Sequence, residues 1–131
     1  TGTPQTPDEL TQHRLLTLQL ARVPMAAWSL VEQGVAHAVE LDGALCGDGY
    51  LCRRWACAGQ GIALKSLFDV VADLEAGRLV RVLPDCVGGE YALHAVFPSG
   101  RFVPRRVRAV ADALAERVQA QAMRASAWLQ T

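Results

Sequence analysis

Apolar residues recur at every second position in two early stretches of the chain, residues 16–20 and 35–41. Such alternation predicts strands with one buried face. An extended run over residues 28–31 precedes the second stretch, and Gly34 between them predicts a hairpin. His37 shares the apolar face of this hairpin, which favours a packed core histidine over a metal ligand because no second ligand is suitably spaced. Ahead of these strands, the capping box TPDE predicts a short helix over residues 7–13.

The period of the pattern changes in the middle of the chain. Apolar residues have helical spacing over residues 48–58 and 67–76, and short apolar runs follow at residues 62–64 and 79–83. Strands that alternate with helices are typical of a parallel sheet with crossover connections, so the pattern predicts an α/β fold. A further strand is predicted over residues 91–97. A long helix begins at about Pro104, and its predicted buried stripe consists of Val107, Val110, Ala111, Leu114 and Val118.

The glycine-rich stretch GDGYLCRRWACAGQGIALKS, residues 47–66, superficially resembles a phosphate-binding loop. A dinucleotide fingerprint needs its glycines together between a strand and a helix, whereas here one pair opens the helix and the other pair closes it. Asp48 is a good N-cap residue between the first two glycines. Lys65 and Ser66 have the letters of a Walker motif but follow a buried run instead of a glycine loop. The pattern therefore argues against nucleotide binding.

Composition and charge exclude several classes of function. The chain has 131 residues, 13 of them basic and 13 acidic, so it lacks the positive charge expected of a nucleic-acid binder. No apolar run reaches the length of a membrane span, about 20 residues, and no leader is visible, so no membrane partner is expected. The four cysteines form no zinc pattern, which predicts no metal and favours buried free thiols in a reducing cytosol over redox sensing. No histidine pairs recognisably with Cys or Ser, so neither an enzyme nor a cofactor is expected. A start at Thr1 is interpreted as that of a processed or excised piece.

The order of these motifs resembles the effector-binding region of LysR-type transcriptional regulators. Four segments carry the resemblance and span nearly all of residues 2–118: GTPQTPDELTQHRLLTL, the glycine-rich stretch, LFDVVADLEAGRLVRVLPD and YALHAVFPSGRFVPRRVRAVADALAERV. Each segment alone is only moderately specific, and their order and spacing make the combination strong.

The resemblance implies a Rossmann-like mixed sheet flanked by helices, that is, one subdomain of a type 2 periplasmic-binding-protein-like fold. Residues 1–90 would form effector-binding subdomain II, and residues 91–131 would be the strand and C-terminal helix that return to complete subdomain I. The rest of subdomain I and the DNA-binding winged helix-turn-helix would lie outside this chain. The implied function is that of a cytoplasmic bacterial sensor, in which a small molecule bound between two lobes changes the DNA-bound oligomer.

Family effector contacts, carried onto this sequence, fall on two loops. The first loop contributes Gly47, Asp48 and Gly49, and the second contributes Lys65 and Ser66. A helix N-terminus and a lysine would suit a carboxylate ligand, although Asp48 would repel an anion. The alternative is that Ser66 merely caps the next helix and that Lys65 is solvated.

Two further expectations concern function and assembly. A solute-binding module of the periplasmic type is the alternative to a regulator, because the same fold serves both. The helix that begins at Pro104 lacks the lobe that would cover it, so the chain is expected to self-associate as a dimer or higher oligomer.

Overall fold

The computed structural model describes residues 2–89, 94–97 and 102–131. The chain divides into two compact units, Thr1–Gly89 and Glu90–Thr131, which are considered separately. A 3-10 helix, Pro7–Gln12, begins the first unit. The remaining regular elements of the described residues are β1 Leu15–Leu20, β2 Val23–Pro24, β3 Ala27–Glu32, β4 Val35–Glu40, β5 Leu45–Gly47, α1 Gly49–Cys57, β6 Ile62–Ala63, α2 Leu67–Glu75, β7 Cys86–Val87 and α3 Arg105–Leu129.

The first sheet is built around β1. Strands β5 and β6 pair with β1 in parallel on its two sides, and β2 pairs antiparallel with the end of β1. The β5–α1–β6 connection is therefore a parallel crossover that spans β1, as the α/β prediction requires. Leu15, Leu16 and Thr17 are all buried. Burial on a single face was predicted, and it is wrong for this half of β1, because a central parallel strand is covered on both faces.

The second sheet has the order β4-β3-β7. The predicted hairpin is present, since β3 and β4 pair antiparallel from Ala27↔Glu40 to Glu32↔Val35. Its two-residue loop is Gln33-Gly34, with φ angles of 48° and 81°. Positive φ at both central positions is the requirement of a type I′ turn, and glycine meets it without strain. Trp28, Leu30 and Val39 of this hairpin lie in one buried core with Leu15 of β1 and Leu10 of the 3-10 helix.

The segment after α2 departs from the sequence prediction. Residues 79–83 form no strand, and Leu83 has a φ of 50°. Its side chain is buried in the core. The edge of the second sheet is taken instead by β7, where Val87 pairs with Val31. Alternating apolar residues form a strand only where a neighbouring backbone can accept their hydrogen bonds, and the sequence of this segment does not reveal that neighbour.

The second unit contains the predicted long helix, α3, with Pro104 at its N-cap position. Val107, Val110 and Leu114 are exposed. The prediction of a buried stripe is therefore wrong for these three residues, since an apolar helix face is buried only where another element covers it. Of the predicted strand over residues 91–97, residues 91–93 lie outside the described part of the chain, and residues 94–97 have no regular secondary structure. Among the described helices, none has the length and apolar character needed to cross a membrane.

Candidate functional site

The two loops named by the sequence lie at the same edge of the first sheet. β5 ends at Gly47 and α1 begins at Gly49, while β6 ends at Ala63 and α2 begins at Leu67. Because β5 and β6 both run parallel to β1, their carboxyl ends point the same way. Open α/β sheets bind ligands at this edge. Topology therefore brings the loop of residues 47–49 and the loop of residues 64–66 to one side of the sheet.

Gly47 is needed for close packing and not for a phosphate. A Cβ atom at Gly47 would lie 2.7 Å from Cζ3 of Trp55 and 3.2 Å from Cβ of Leu51. Only glycine lets the first turn of α1 and the indole ring approach the end of β5 so closely. Gly47 is thus explained by close packing at the start of α1.

Asp48 caps α1 as predicted. Its side chain accepts a hydrogen bond of 2.8 Å from the backbone N–H of Leu51, and its backbone carbonyl accepts the N–H of Cys52. One of the amide groups that would attract an anion to this helix N-terminus is therefore already paired with a carboxylate.

Lys65 joins the two loops directly. Its Nζ donates a hydrogen bond of 3.1 Å to the carbonyl oxygen of Gly49 and forms an ion pair with the carboxylate of Asp69. The Lys65 side chain is only 14% exposed. The alternative of a solvated Lys65 does not describe this geometry. Asp69 was not among the predicted site residues, although its spacing of four residues from Lys65 was the signal that could have identified it.

Ser66 occupies the N-cap position of α2 without capping it through its side chain. The backbone N–H of Asp69 bonds to the Ser66 carbonyl at 3.0 Å, while the residue itself is exposed. The alternative in which Ser66 serves as a side-chain cap is therefore not the arrangement observed.

The charged side chains at this edge of the sheet do not give it a net positive charge. The Lys65 ammonium stands beside the Asp69 carboxylate, and the Asp48 carboxylate lies on the neighbouring loop. An incoming carboxylate would have to compete with Asp69 for the ammonium. A ligand that also offers hydrogen-bond donors would meet the carbonyl of Gly49 and the two carboxylates favourably.

A buried carboxylate that the sequence reading did not single out ties α1 to α2. Asp73 is 1% exposed and accepts a 2.5 Å hydrogen bond from Nε of Arg53 and a 2.8 Å bond from Nε of Arg78. The bond from Arg53 is the main cause that lowers the pKa of Asp73, and it outweighs the opposing effect of burial. The one available signal was an acidic residue between the apolar positions Val70 and Leu74 of α2.

Cys52 is a buried residue of α1 that contacts the first sheet. Its Sγ donates to the carbonyl oxygen of Thr17 at 3.2 Å, and burial raises the pKa of the thiol. Cysteines in the described chain are all free. His37 is partly exposed, with Nε2 3.8 Å from Glu32, and the described residues contain no cluster of His, Cys, Asp and Glu that could hold a metal ion.

A parallel-crossover fold whose loops meet at the carboxyl edge of the sheet defines an α/β module with a candidate ligand-binding edge. Comparison with known families makes this class specific. The model of the LysR substrate binding domain matches residues 1–119. The chain belongs to this family and is an effector-binding domain fragment of the LysR type.

Individual relatives agree with this assignment. The transcriptional activator TtdR of Escherichia coli K12 is 35% identical over 83 residues, which are 63% of this chain and 27% of TtdR. The regulator DmlR of the same strain is 33% identical over 85 residues, 64% of this chain and 28% of DmlR. The chain thus matches little more than a quarter of the length of these relatives.

Solved structures show the same fold. The full-length virulence activator AphB of Vibrio cholerae, a member of the LTTR family, superposes with a TM-score of 0.57 at 28% identity, covering 66% of this chain and 30% of AphB. The regulatory domain of AphB from Vibrio vulnificus, treated with cumene hydroperoxide, gives a TM-score of 0.63 at 22% identity and covers 86% of this chain and 55% of that domain. These regulatory domains have the periplasmic-binding-protein-like fold predicted from the sequence.

Proposed function

We propose that this chain is the effector-sensing part of a bacterial, cytoplasmic LysR-type transcriptional regulator. A small ligand binds in a cleft between two lobes, and residues 47–49 with Lys65 and Ser66 contact it. The observation that carries this proposal is the hydrogen bond from Lys65 Nζ to the Gly49 carbonyl, because it joins both predicted loops at the ligand-binding edge of the sheet.

The division of the chain supports an assignment of its parts. Residues 1–90 form subdomain II of the effector-binding region, and residues 91–131 return to complete subdomain I. The two compact units, Thr1–Gly89 and Glu90–Thr131, support this boundary. DNA is bound by an N-terminal winged helix-turn-helix in the longer regulator.

Ligand binding acts through the Lys65 contacts. A carboxylate ligand takes over the ammonium from Asp69, and closure of the two lobes over the ligand follows. Such a ligand shifts the regulator between two states only to the extent that it binds the closed state better than the open one. Small carboxylates are therefore the first class to screen, and ligands that also carry hydroxyl groups can pair with the Asp48 and Asp69 carboxylates.

Two substitutions with opposite expected effects test this site in the longer regulator, with a ligand found by the screen. Lys65→Ala removes a charge-assisted hydrogen bond and is expected to weaken carboxylate binding by about 1.5–3 kcal/mol. Asp69→Asn removes the competing carboxylate and is expected to strengthen it. DNA affinity without ligand should remain unchanged in both variants.

Arg14→Gln provides the control for the loss of a positive charge, because Arg14 is exposed and its side chain hydrogen-bonds, among the described residues, to Gln60 at 3.5 Å. Isothermal titration calorimetry measures the ligand affinity of all three variants. Equal affinities in Lys65→Ala, Asp69→Asn and Arg14→Gln would remove Lys65 from the site.

Self-association through α3 is part of the same proposal. Val107, Val110 and Leu114 lie on one face of the helix and are 40%, 61% and 58% exposed. Exposed apolar stripes of this kind mark protein–protein contacts. In sedimentation velocity the chain is expected to run as a dimer or larger species, and Val110→Glu should shift it to the monomer. A native chain that stays monomeric at high concentration would contradict this assembly.

A further inference from the structure

A second polar feature lies on α1, apart from the loops at the end of β5 and β6. It is a surface pocket of 390 Å³ at the side of α1 and the end of α2. Three of its six lining residues are arginines. The lining consists of Tyr50, Arg53, Arg54, Cys57, Ala58 and Arg78.

Asp73 holds two of these arginines in place without using up their donors. It engages Arg53 through Nε, and it engages Arg78 through Nε and Nη2. The two terminal amino groups of Arg53 make no hydrogen bond to another described residue. A carboxylate that fixes the inner edge of a guanidinium leaves its outer edge oriented for a ligand.

Arg54 adds a third cation that has no carboxylate partner among the described residues. Its guanidinium carbon lies 5.8 Å from the centre of the Tyr50 ring, which restrains the side chain at the pocket. The Asp69 carboxylate also lies close enough to Arg53 to interact with its charge. Because Asp69 forms an ion pair with Lys65, its charge is already balanced. Three guanidinium groups and the single Asp73 carboxylate therefore leave two positive charges at the pocket.

We propose that this arginine pocket binds a small phosphate-type dianion, either inorganic phosphate or the phosphate group of a small monoester. Two uncompensated positive charges match the charge of the dianion. The fork of the guanidinium group matches the spacing of phosphate oxygens, so Arg53 and Arg54 can each donate two parallel hydrogen bonds. Arg78 contributes through Nη1, because its Nε and Nη2 bind Asp73 and its Nη2 also donates to the Ala72 carbonyl at 3.5 Å. The pocket is larger than a phosphate ion, so it also accommodates the organic part of a monoester beside the Tyr50 ring.

This site is independent of the proposed effector loops. None of Gly47, Asp48, Gly49, Lys65 or Ser66 lines the arginine pocket. The anion would instead bridge α1 and the end of α2, and its binding would stiffen the junction that Asp73 already holds.

Isothermal titration calorimetry of the 131-residue chain with inorganic phosphate, at constant ionic strength, tests the proposal. Arg54→Gln removes one cation from an exposed helical position that does not contact Asp73, and Arg14→Gln removes one cation elsewhere. Arg54→Gln is expected to raise the Kd for phosphate by about 10- to 100-fold, the effect of losing a hydrogen bond to a charged group. Arg14→Gln and Lys65→Ala should retain the native Kd. Circular dichroism melting confirms that each variant is folded.

Four results would overturn the proposal. The first is a phosphate response no larger than that of chloride at matched ionic strength, which would show charge screening only. The second is an equal Kd in Arg54→Gln and Arg14→Gln. The third is tighter binding of succinate than of phosphate, which would exclude the ligand class. Loss of phosphate binding in Lys65→Ala alone would place the anion at the effector loops and would also contradict the arginine pocket.

Discussion

Replacement of Asp73 by asparagine tests the junction between α1 and α2. The Asp73 side chain is 2% exposed and accepts hydrogen bonds from Nε of Arg53 at 2.5 Å and from Nε of Arg78 at 2.8 Å. Asparagine keeps the size of the side chain and one oxygen acceptor but removes the negative charge. The substitution therefore isolates the contribution of the charge from that of packing.

The expected loss follows from the two bonds and from the exposure of their donors. A hydrogen bond to a charged group contributes about 1.5–3 kcal/mol. The Arg78 side chain is 54% exposed and the Arg53 side chain is 33% exposed, so water screens both bonds, the Arg78 bond more strongly. Asp73→Asn should therefore lower the free energy of unfolding by about 2 kcal/mol at pH 7, less than two full bonds would give.

The effect should depend on pH in a definite direction. The hydrogen bond from Arg53 holds the pKa of Asp73 below its ordinary value in the folded chain. The unfolded chain then binds the proton more readily, so the stability due to Asp73 is present above about pH 4 and is lost as the pH falls through the folded pKa. Protonated aspartic acid resembles asparagine, so the native chain and Asp73→Asn should converge in acid.

Urea unfolding followed by tryptophan fluorescence, at several pH values between 7 and 3, measures both quantities. Asp112→Asn is the matched control, because Asp112 is an exposed carboxylate inside a helix. Its effect should stay within about 0.5 kcal/mol. An Asp73→Asn effect as small as that of the control would show that the charge of Asp73 contributes little to stability. A large effect that does not change with pH would show that the loss does not come from the charge.

Four smaller predictions concern single side chains. Gly47→Ala should lower the free energy of unfolding by about 1–3 kcal/mol in urea titrations, because its Cβ would lie 2.7 Å from the Trp55 ring, and an unchanged midpoint would contradict this. Thr17→Val should stabilise the chain by about 1 kcal/mol, since the buried Thr17 hydroxyl has no hydrogen-bond partner within the described chain, and a loss of stability would reveal a missing partner. Ser66→Ala should change the free energy of unfolding by less than about 0.5 kcal/mol, since no side-chain cap is lost. A loss near about 1 kcal/mol would indicate that the Ser66 side chain does cap α2. Cys52 should be alkylated by iodoacetamide at pH 7 far more slowly than in the unfolded chain, because its pKa is raised by burial, and mass spectrometry showing equal rates would contradict that burial.

Local rules predicted the parts of the fold that depend on neighbouring residues. Gly34 marked the hairpin, and its positive φ is the reason. Asp48 was identified as the cap of α1, and its side chain makes the expected bond to the Leu51 amide. The two loops that the family resemblance singled out lie at one edge of the sheet, and the bond between Lys65 and Gly49 shows that they meet.

Features that depend on distant parts of the chain were not predicted. Residues 79–83 have the composition of a strand, yet β3 pairs with Cys86–Val87 instead. Asp73 looked like an ordinary helical residue, because its partners Arg53 and Arg78 approach it only after α1 and α2 pack. The face of α3 had the pattern of a buried stripe, but a pattern does not say what covers it, and Val110 is exposed. The sequence thus specifies the elements better than their partners.

Hydrogen–deuterium exchange of the longer regulator, measured by mass spectrometry with and without its effector, tests whether the loops of residues 47–49 and 64–66 form the sensing site. Amide groups that a ligand contacts or orders open less often and exchange more slowly. The effector should slow exchange in peptides that cover residues 47–50 and 64–69. Lys65→Ala should abolish this protection at the same effector concentration, while Arg14→Gln should retain it. If the effector binds and the exchange rates of both loops stay unchanged, this edge of the sheet is not the sensing site.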